Sequence, residues 1–171
     1  MNETIYETSS NVANFFLSKA KEENTHLTQL KLMKISYFAY GWVLATLHKK
    51  LFEEEIEAWR FGPVIPSLYH EFKHYKYNAI NAFSTSFDFE NGKETIPQID
   101  KSDKSSVILE KVWDIYKHLS AESLVNKTHE KDTPWAKYYT PGEYGTVIPD
   151  DIIKSYFKQK ISDLLSDDQD K

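Results

Sequence analysis

The sequence predicts a mainly α-helical fold: one compact bundle of about six helices around a buried central helix, with a small β-hairpin insert. Residues 29–48 place apolar side chains on nearly every side of a helix, which is typical of a buried helix. Other segments show apolar residues at helical spacing on one face. The alternating stretch 87–96 has Asn91-Gly92 at its centre, a pair that favours a tight hairpin turn.

Capping residues and apolar spacing set the order of the predicted elements. Helix one follows the caps Ser9–Asn11, with Val12, Phe15, Phe16 and Ala20 on its inner face. Five further helices are expected. The second begins after Thr28 and runs to about His48, and the third begins near residue 65. The fourth covers about 105–119, the fifth runs from the cap Ser120 to His129, and the last begins at Asp150 or Asp151. A short strand is expected at 56–59. The helix over 105–119 is expected to place Ile108, Val112, Ile115 and Leu119 on its inner face. The last helix is expected to place Ile153, Tyr156, Phe157 and Leu164 there.

Length and composition indicate one domain over 1–165, followed by an acidic, solvated tail at 166–171. The chain has no cysteine, which suits a reducing cytoplasm and excludes cysteine-ligated zinc. No apolar run is long enough for a membrane span, and the first residues do not resemble a signal peptide. A net charge of −5 disfavours nucleic acid as the partner.

The segment His70-Glu71-Phe72-Lys73-His74 spells H-E-x-x-H, the helix-borne zinc motif of metallopeptidases. In that chemistry His70 and His74 bind Zn²⁺ while Glu71 is the general base. However, at about 100° per residue both histidines lie far from the apolar stripe of their helix, so we expect them to face water. The alternatives are adventitious metal binding and a zinc hydrolase that takes a third ligand from Glu90 or Glu94.

The stretch 59–69 is dense in aromatic residues and prolines, which predicts a rigid elbow that leads into a helix. Pro66 suits the first helical turn, and Gly62 supplies backbone freedom. Trp59 and Trp135 are expected to anchor the core. His129, with Glu130 and Asp132 nearby, allows a general base held by a carboxylate. The favoured interpretation is that His129 ends a helix, where a cation suits the helix dipole.

Three sequence blocks together resemble a known family, the Panacea antitoxin domain found in SocA-like proteins and phage-associated GepA-like proteins. The first block is Leu30–Trp42, and the second runs from Leu51 through Ile56–Tyr69. The third runs from Leu119 through Thr128-His129 and Pro134-Trp135 to Phe157. The segment 78–102 has no clear match in the family pattern.

The resemblance implies a mostly helical, non-enzymatic domain without a cofactor that binds and neutralises a protein toxin encoded beside it. It also implies that a AAA+ protease can be a second partner, as in SocA-like proteolytic adaptors. The family offers no catalytic set to place on this chain. The residues that match its motifs are therefore interpreted as specifying the fold: Trp59, Gly62, Pro63, Pro66, His129, Pro134 and Trp135.

An antitoxin needs only a surface that covers the working face of its toxin. Aromatic residues supply much of the binding energy at such surfaces, and tyrosine tolerates half-exposed positions. We expect the toxin-facing anchors among Tyr69, Tyr75, Tyr77, Tyr138 and Tyr139. Phage or prophage accessory function, with a host factor as partner, is the runner-up, and a DNA-binding regulator comes last. The oligomeric state is left open.

Overall fold

The computed structural model describes residues 7–167, and the structural statements below refer to that part of the chain. It contains seven α-helices in this range, which confirms the mainly α-helical prediction. The helices are α1 Ser9–Glu22, α2 Gln29–Leu47, α3 Pro66–Phe72, α4 Lys104–Tyr116, α5 Ala121–His129, α6 Pro134–Tyr138 and α7 Asp150–Asp167. The strands are β1 Glu57–Trp59, β2 Gly62–Val64, β3 Ser86–Asp88 and β4 Lys93–Thr95.

Helix α2 is the buried centre of the fold, as its all-round apolar sequence predicts. Of its 19 residues, 13 are buried. It packs against α1, α3, α4, α5, α7 and β2. Thr28 caps its first turn by accepting a hydrogen bond from the amide of Lys31, and His48 ends it in the left-handed conformation.

Gly41 lets Phe157 of α7 pack directly against α2, and its place inside a helix predicts such close packing. A Cβ added there would lie 2.1 Å from a ring carbon of Phe157. The Phe157 ring also meets the edge of Trp42 at a centroid distance of 5.0 Å. Rings therefore fill the layer between α2 and α7, and this contact requires glycine.

The predicted elbow is part of a β-hairpin. The strand predicted at 56–59 is present as β1, and it pairs antiparallel with β2, which places Pro63 inside a strand. The segment 146–148 lies on the other side of β1, where Ala58 donates to the carbonyl of Thr146 at 2.8 Å. Because β2 is an edge strand, the missing N–H of Pro63 costs no ladder bond.

The predicted hairpin insert is present as β3 and β4, in the register Phe87 opposite Glu94. Asp88 closes the turn by accepting hydrogen bonds from the amides of Glu90 and Asn91. This hairpin contrasts with β1–β2 because its strands are exposed or half-exposed throughout.

The inner faces predicted for α4 and α7 are partly wrong. On α4 the bulky Trp113 and Tyr116 take the core positions together with Leu109 and Val112, so the helix is rotated and Ile115 is 59% exposed. On α7, Leu164 is 60% exposed because the last turns extend past the helices that cover Ile153 and Phe157.

Helix α6 was not predicted, because five residues are too short to show a helical period. At the chain start, Thr8 rather than Ser9–Asn11 caps α1. The helical part reaches Asp167, so the first two residues of the predicted tail 166–171 are helical and the remainder lies outside the described residues. Between residues 7 and 167, none of the helices has the length and hydrophobicity that a bilayer span requires.

Candidate functional site

The two histidines of the H-E-x-x-H segment are exposed, as the helical geometry predicts. Helix α3 ends at Phe72, so His74 lies in a separate 3-10 turn, Lys73–Tyr75. Its Nδ1 is 3.0 Å from the carbonyl oxygen of Glu71. Within residues 7–167, no group of three or more histidine, aspartate or glutamate side chains is arranged to hold a metal ion.

The residues of the sequence motifs instead meet around one buried lysine. Strand β2 supplies a glycine and a proline, and β1 supplies a tryptophan. The end of α5 and the short helix α6 supply the others. We call this set the motif cluster; it consists of Lys34, Trp59, Gly62, Pro63, Thr128, His129 and Trp135.

Lys34 is a fully buried lysine in the second turn of α2. Its Nζ donates a hydrogen bond to the carbonyl oxygen of Pro63 at 2.7 Å. In the described part of the chain, no carboxylate forms an ion pair with it. Burial lowers the pKa of Lys34 to about 7, because the charged form has lost its hydration.

Gly62 is the residue that lets β2 approach the lysine. Its φ is +102°, a conformation that side chains with a Cβ rarely adopt. An added Cβ would lie 2.6 Å from Oγ1 of Thr128 and 3.0 Å from Nζ of Lys34. The hydroxyl of Thr128 is itself fixed, since it donates to the carbonyl of Val125 at 2.7 Å.

An aromatic stack closes the motif cluster on its other side. The rings of His129 and Trp135 lie 3.7 Å apart and 4° from parallel, and Tyr139 stacks on the far face of Trp135 at 4.6 Å. The indole N–H of Trp135 donates to the carbonyl of Trp59 at 2.7 Å. Thr133 caps α6, the short helix that carries this indole. Trp135 therefore joins α5 and α6 to β1.

His129 ends α5 as predicted, but its surroundings disfavour the cation expected at the helix terminus. Burial, together with the nearby charge of Lys34, lowers the pKa of His129. Its Nε2 is buried and has no hydrogen-bond partner among the described residues. The neutral imidazole is therefore favoured, and its contribution is the stack on Trp135.

The predicted tyrosine anchors differ in how much surface they offer. Tyr77 is 95% exposed. Tyr69 is half-buried and packs its ring edge against Trp59 at 4.8 Å. Tyr75 donates from its hydroxyl to Asn81 at 2.8 Å. Tyr138 and Tyr139 are half-buried at the end of α6.

Sequence reasoning missed two features, the buried Lys34 and the exposed pair Phe87 and Phe89. The signal for the first was a lysine inside a helix that is apolar all round. The signal for the second was the alternation that puts both rings on one face of the hairpin. They are 54% and 88% exposed, and their rings meet edge to face at 5.1 Å.

The architecture is thus a helical body organised by the motif cluster, with exposed aromatic side chains outside it. Over residues 32–136 the chain matches the family model described as antitoxin SocA-like, Panacea domain. The chain belongs to this family, and every residue of the motif cluster lies within the matched range. It is also 31% identical over 156 residues to antitoxin SocA of Caulobacter vibrioides (strain NA1000 / CB15N), a match that covers 88% of this chain and 83% of that protein. No solved structure gives a significant match.

Proposed function

We propose that this chain is an antitoxin that neutralises a protein toxin by binding it directly. Membership of the SocA-like Panacea family is the observation that carries the proposal. The similarity to antitoxin SocA supports it, because it extends over 88% of the chain rather than over one motif. The cognate toxin is expected to be the product of the adjacent gene, and the complex to form in the cytoplasm.

The motif cluster serves this function as a scaffold rather than as a reaction centre. Lys34 is fully buried, and His129 is covered by the indole of Trp135. A protein that is already rigid before it meets its partner loses less conformational entropy when it binds. The cluster contributes to binding by fixing the body that presents the surface side chains.

Aromatic surface residues are the proposed contacts to the toxin. Of the tyrosines considered above, Tyr77 offers the most surface, whereas Tyr69 and Tyr139 also take part in ring contacts within the body. The net charge of −5 favours encounter with a basic toxin surface. These tyrosines are proposed anchors, and alanine substitution at each can rank them by the loss of toxin affinity.

Co-expression tests the proposal. The chain and the product of the adjacent gene are expressed from separate inducible promoters, and growth is followed. We expect the second protein alone to arrest growth, the pair to grow, and a stoichiometric complex to be purified from the pair. Continued arrest while both proteins accumulate would contradict the proposal.

Reconstitution with purified proteins separates direct blocking from delivery to a protease. Direct blocking predicts that the chain alone inhibits its toxin at stoichiometric amounts. A proteolytic adaptor would instead need a AAA+ protease and ATP before toxin activity disappears. A phage accessory protein that targets a host factor would leave the adjacent gene product unbound in both experiments.

A further inference from the structure

The hairpin β3–β4 exposes aromatic rings that the body does not use. Both strands lie at the surface, and Phe89 is 88% exposed. Phe87 contacts Phe89 edge to face, so the two rings form one small apolar surface. Exposed rings grouped in this way are a frequent mark of a protein interface.

A buried amide holds this hairpin in a fixed position. The side chain of Asn14 in α1 is only 3% exposed. Its Oδ1 accepts from the amide of Ser84 at 2.8 Å, while its Nδ2 donates to the carbonyls of Ser84 at 2.9 Å and Pro97 at 2.8 Å. Asn14 therefore clamps both ends of the hairpin segment. The strands contribute little to the core, so the clamp fixes a segment that lies mainly at the surface and carries the exposed rings.

A groove continues from the base of the hairpin. It lies between α1, α4 and the segment that follows β4, and it has a volume of about 180 Å³. Polar and charged residues form much of its lining, and the apolar part comes from Phe15, Phe83, Ile96 and Ile99. Ile96 directly follows β4 and is 47% exposed, so it connects the groove with the hairpin.

The charge of this surface indicates what it accepts. The hairpin carries Asp88, Glu90 and Glu94 against the single cation Lys93, a net charge of −2 from three acids and one base. In the groove, Lys19 is paired with Glu110 at 2.6 Å, and Glu22 and Lys101 also line it, so the groove adds no net charge and the acidity comes from the hairpin. Exposed rings among acidic residues are complementary to apolar side chains flanked by lysine or arginine.

We propose that the hairpin β3–β4 and its adjoining groove form the surface that recognises the toxin. The occupant is a segment of the toxin with apolar side chains flanked by basic residues, which seats against Phe87, Phe89 and Ile96. This inference rests on the proposed antitoxin function. It names the part of the chain that selects the partner.

The test uses the double variant F87S/F89S in the full chain, with the product of the adjacent gene as the probe. Phe61 provides a matched control, because it is a phenylalanine of similar exposure, 58%, in the turn of the other hairpin. We expect F87S/F89S to raise the Kd roughly 30-fold or more, as for loss of an aromatic hot spot. F61S should change the Kd less than about threefold.

Two further variants keep the test independent of the folding of one mutant. N14A removes the side-chain hydrogen bonds that hold the ends of the hairpin segment. It should weaken toxin binding although Phe87 and Phe89 remain. E90K/E94K reverses the charge, and its effect on the association rate should be larger at low salt than at high salt. Thermal unfolding of each variant shows whether the body is intact.

The outcomes separate this inference from the proposed function. If wild-type protein binds the toxin and F87S/F89S binds it equally well, the hairpin inference is overturned while the antitoxin function stands. If wild-type protein does not bind, both fail. If the surface instead joins two copies of this chain, wild-type protein will be dimeric and F87S/F89S monomeric with unchanged toxin affinity, which also overturns the inference.

Discussion

The motif cluster and the hairpin β3–β4 are built from similar residues used in opposite ways. Each has a glycine with positive φ, but a Cβ at Gly62 would overlap Thr128, whereas Gly92 has nothing within 4 Å. Each has paired aromatic rings, but Trp135 is stacked on both faces, whereas Phe89 is 88% exposed. The difference shows that the surroundings of a glycine or ring, rather than its presence, decide whether it packs within the body or stays exposed at the surface.

The largest expected effect is the difference in stability between alanine substitutions at Gly62 and at Gly92. Gly62→Ala should lower the free energy of unfolding by about 3 kcal/mol, since it adds backbone strain and a clash with fixed atoms. Gly92→Ala should lower it by about 1 kcal/mol, because only the positive φ opposes the new side chain. Urea unfolding of both variants measures the difference. Equal losses would show that the β2 approach to Lys34 is not tightly packed.

The buried lysine predicts a pH dependence that the hairpin does not share. The pKa of Lys34 is about 7 in the folded chain against 10.5 in its ordinary state. The unfolded chain therefore binds more protons between these values, so stability rises with pH across this window. The gain from pH 7 to pH 9 should be about 2 kcal/mol.

Lys34→Met isolates that contribution, since methionine has a similar length and does not titrate. The Lys34 ammonium donates to the carbonyl of Pro63, Thr128 Oγ1 lies beside it at Gly62, and its charge acts on the titratable imidazole of His129. The lowered pKa of His129 places its titration below this window. The difference in unfolding free energy between the wild type and Lys34→Met should shift with pH, and a constant difference would mean that Lys34 does not change its charge.

The indole of Trp135 predicts a smaller effect. Trp135→Phe removes the hydrogen bond to the carbonyl of Trp59 and part of the stack on His129. It should lower the free energy of unfolding by about 1.5 kcal/mol. Trp59→Phe is the control, because its indole donates to the half-exposed carboxylate of Glu57. If both substitutions cost the same, Trp135 is not the link between α6 and β1.

The hairpin predicts the smallest effect on stability. F87S/F89S should change the free energy of unfolding by less than about 0.5 kcal/mol, as expected for exposed side chains outside the core. Thermal and urea unfolding measure this directly. A loss comparable with that of Gly62→Ala would mean that the rings support the body, and the contrast between the two regions would disappear.

Features that depend on residues close together in the sequence could be predicted, whereas features that depend on contacts between distant segments could not. The all-round apolar pattern of α2 and the Asn91-Gly92 turn each lie within one element, so local rules identify them. The rotation of α4 could not be predicted, because its sequence does not show which of Ile115 and Tyr116 faces α2. The position of Pro63 in a strand depends on pairing with β1.

In the candidate site too, sequence motifs could be identified, whereas contacts between distant residues could not. The motif residues Trp59, Gly62 and Trp135 were singled out from sequence, but the buried Lys34 beside Gly62 was not. A lysine in a helix is exposed by default, and only the three-dimensional packing shows that this one is enclosed. The role of Asn14 depends on contacts with residues about 70 positions further along the chain, as in its hydrogen bonds to Ser84.

Hydrogen exchange on the complex tests whether the toxin contacts the hairpin β3–β4 and leaves the motif cluster free. Deuterium uptake is compared for the free chain and for the chain bound to the product of the adjacent gene. We expect binding to slow uptake across 85–96 and to leave uptake unchanged in 57–64 and 128–135, the strands and helix ends of the motif cluster. Slowed uptake in the motif cluster with none in the hairpin would contradict this expectation.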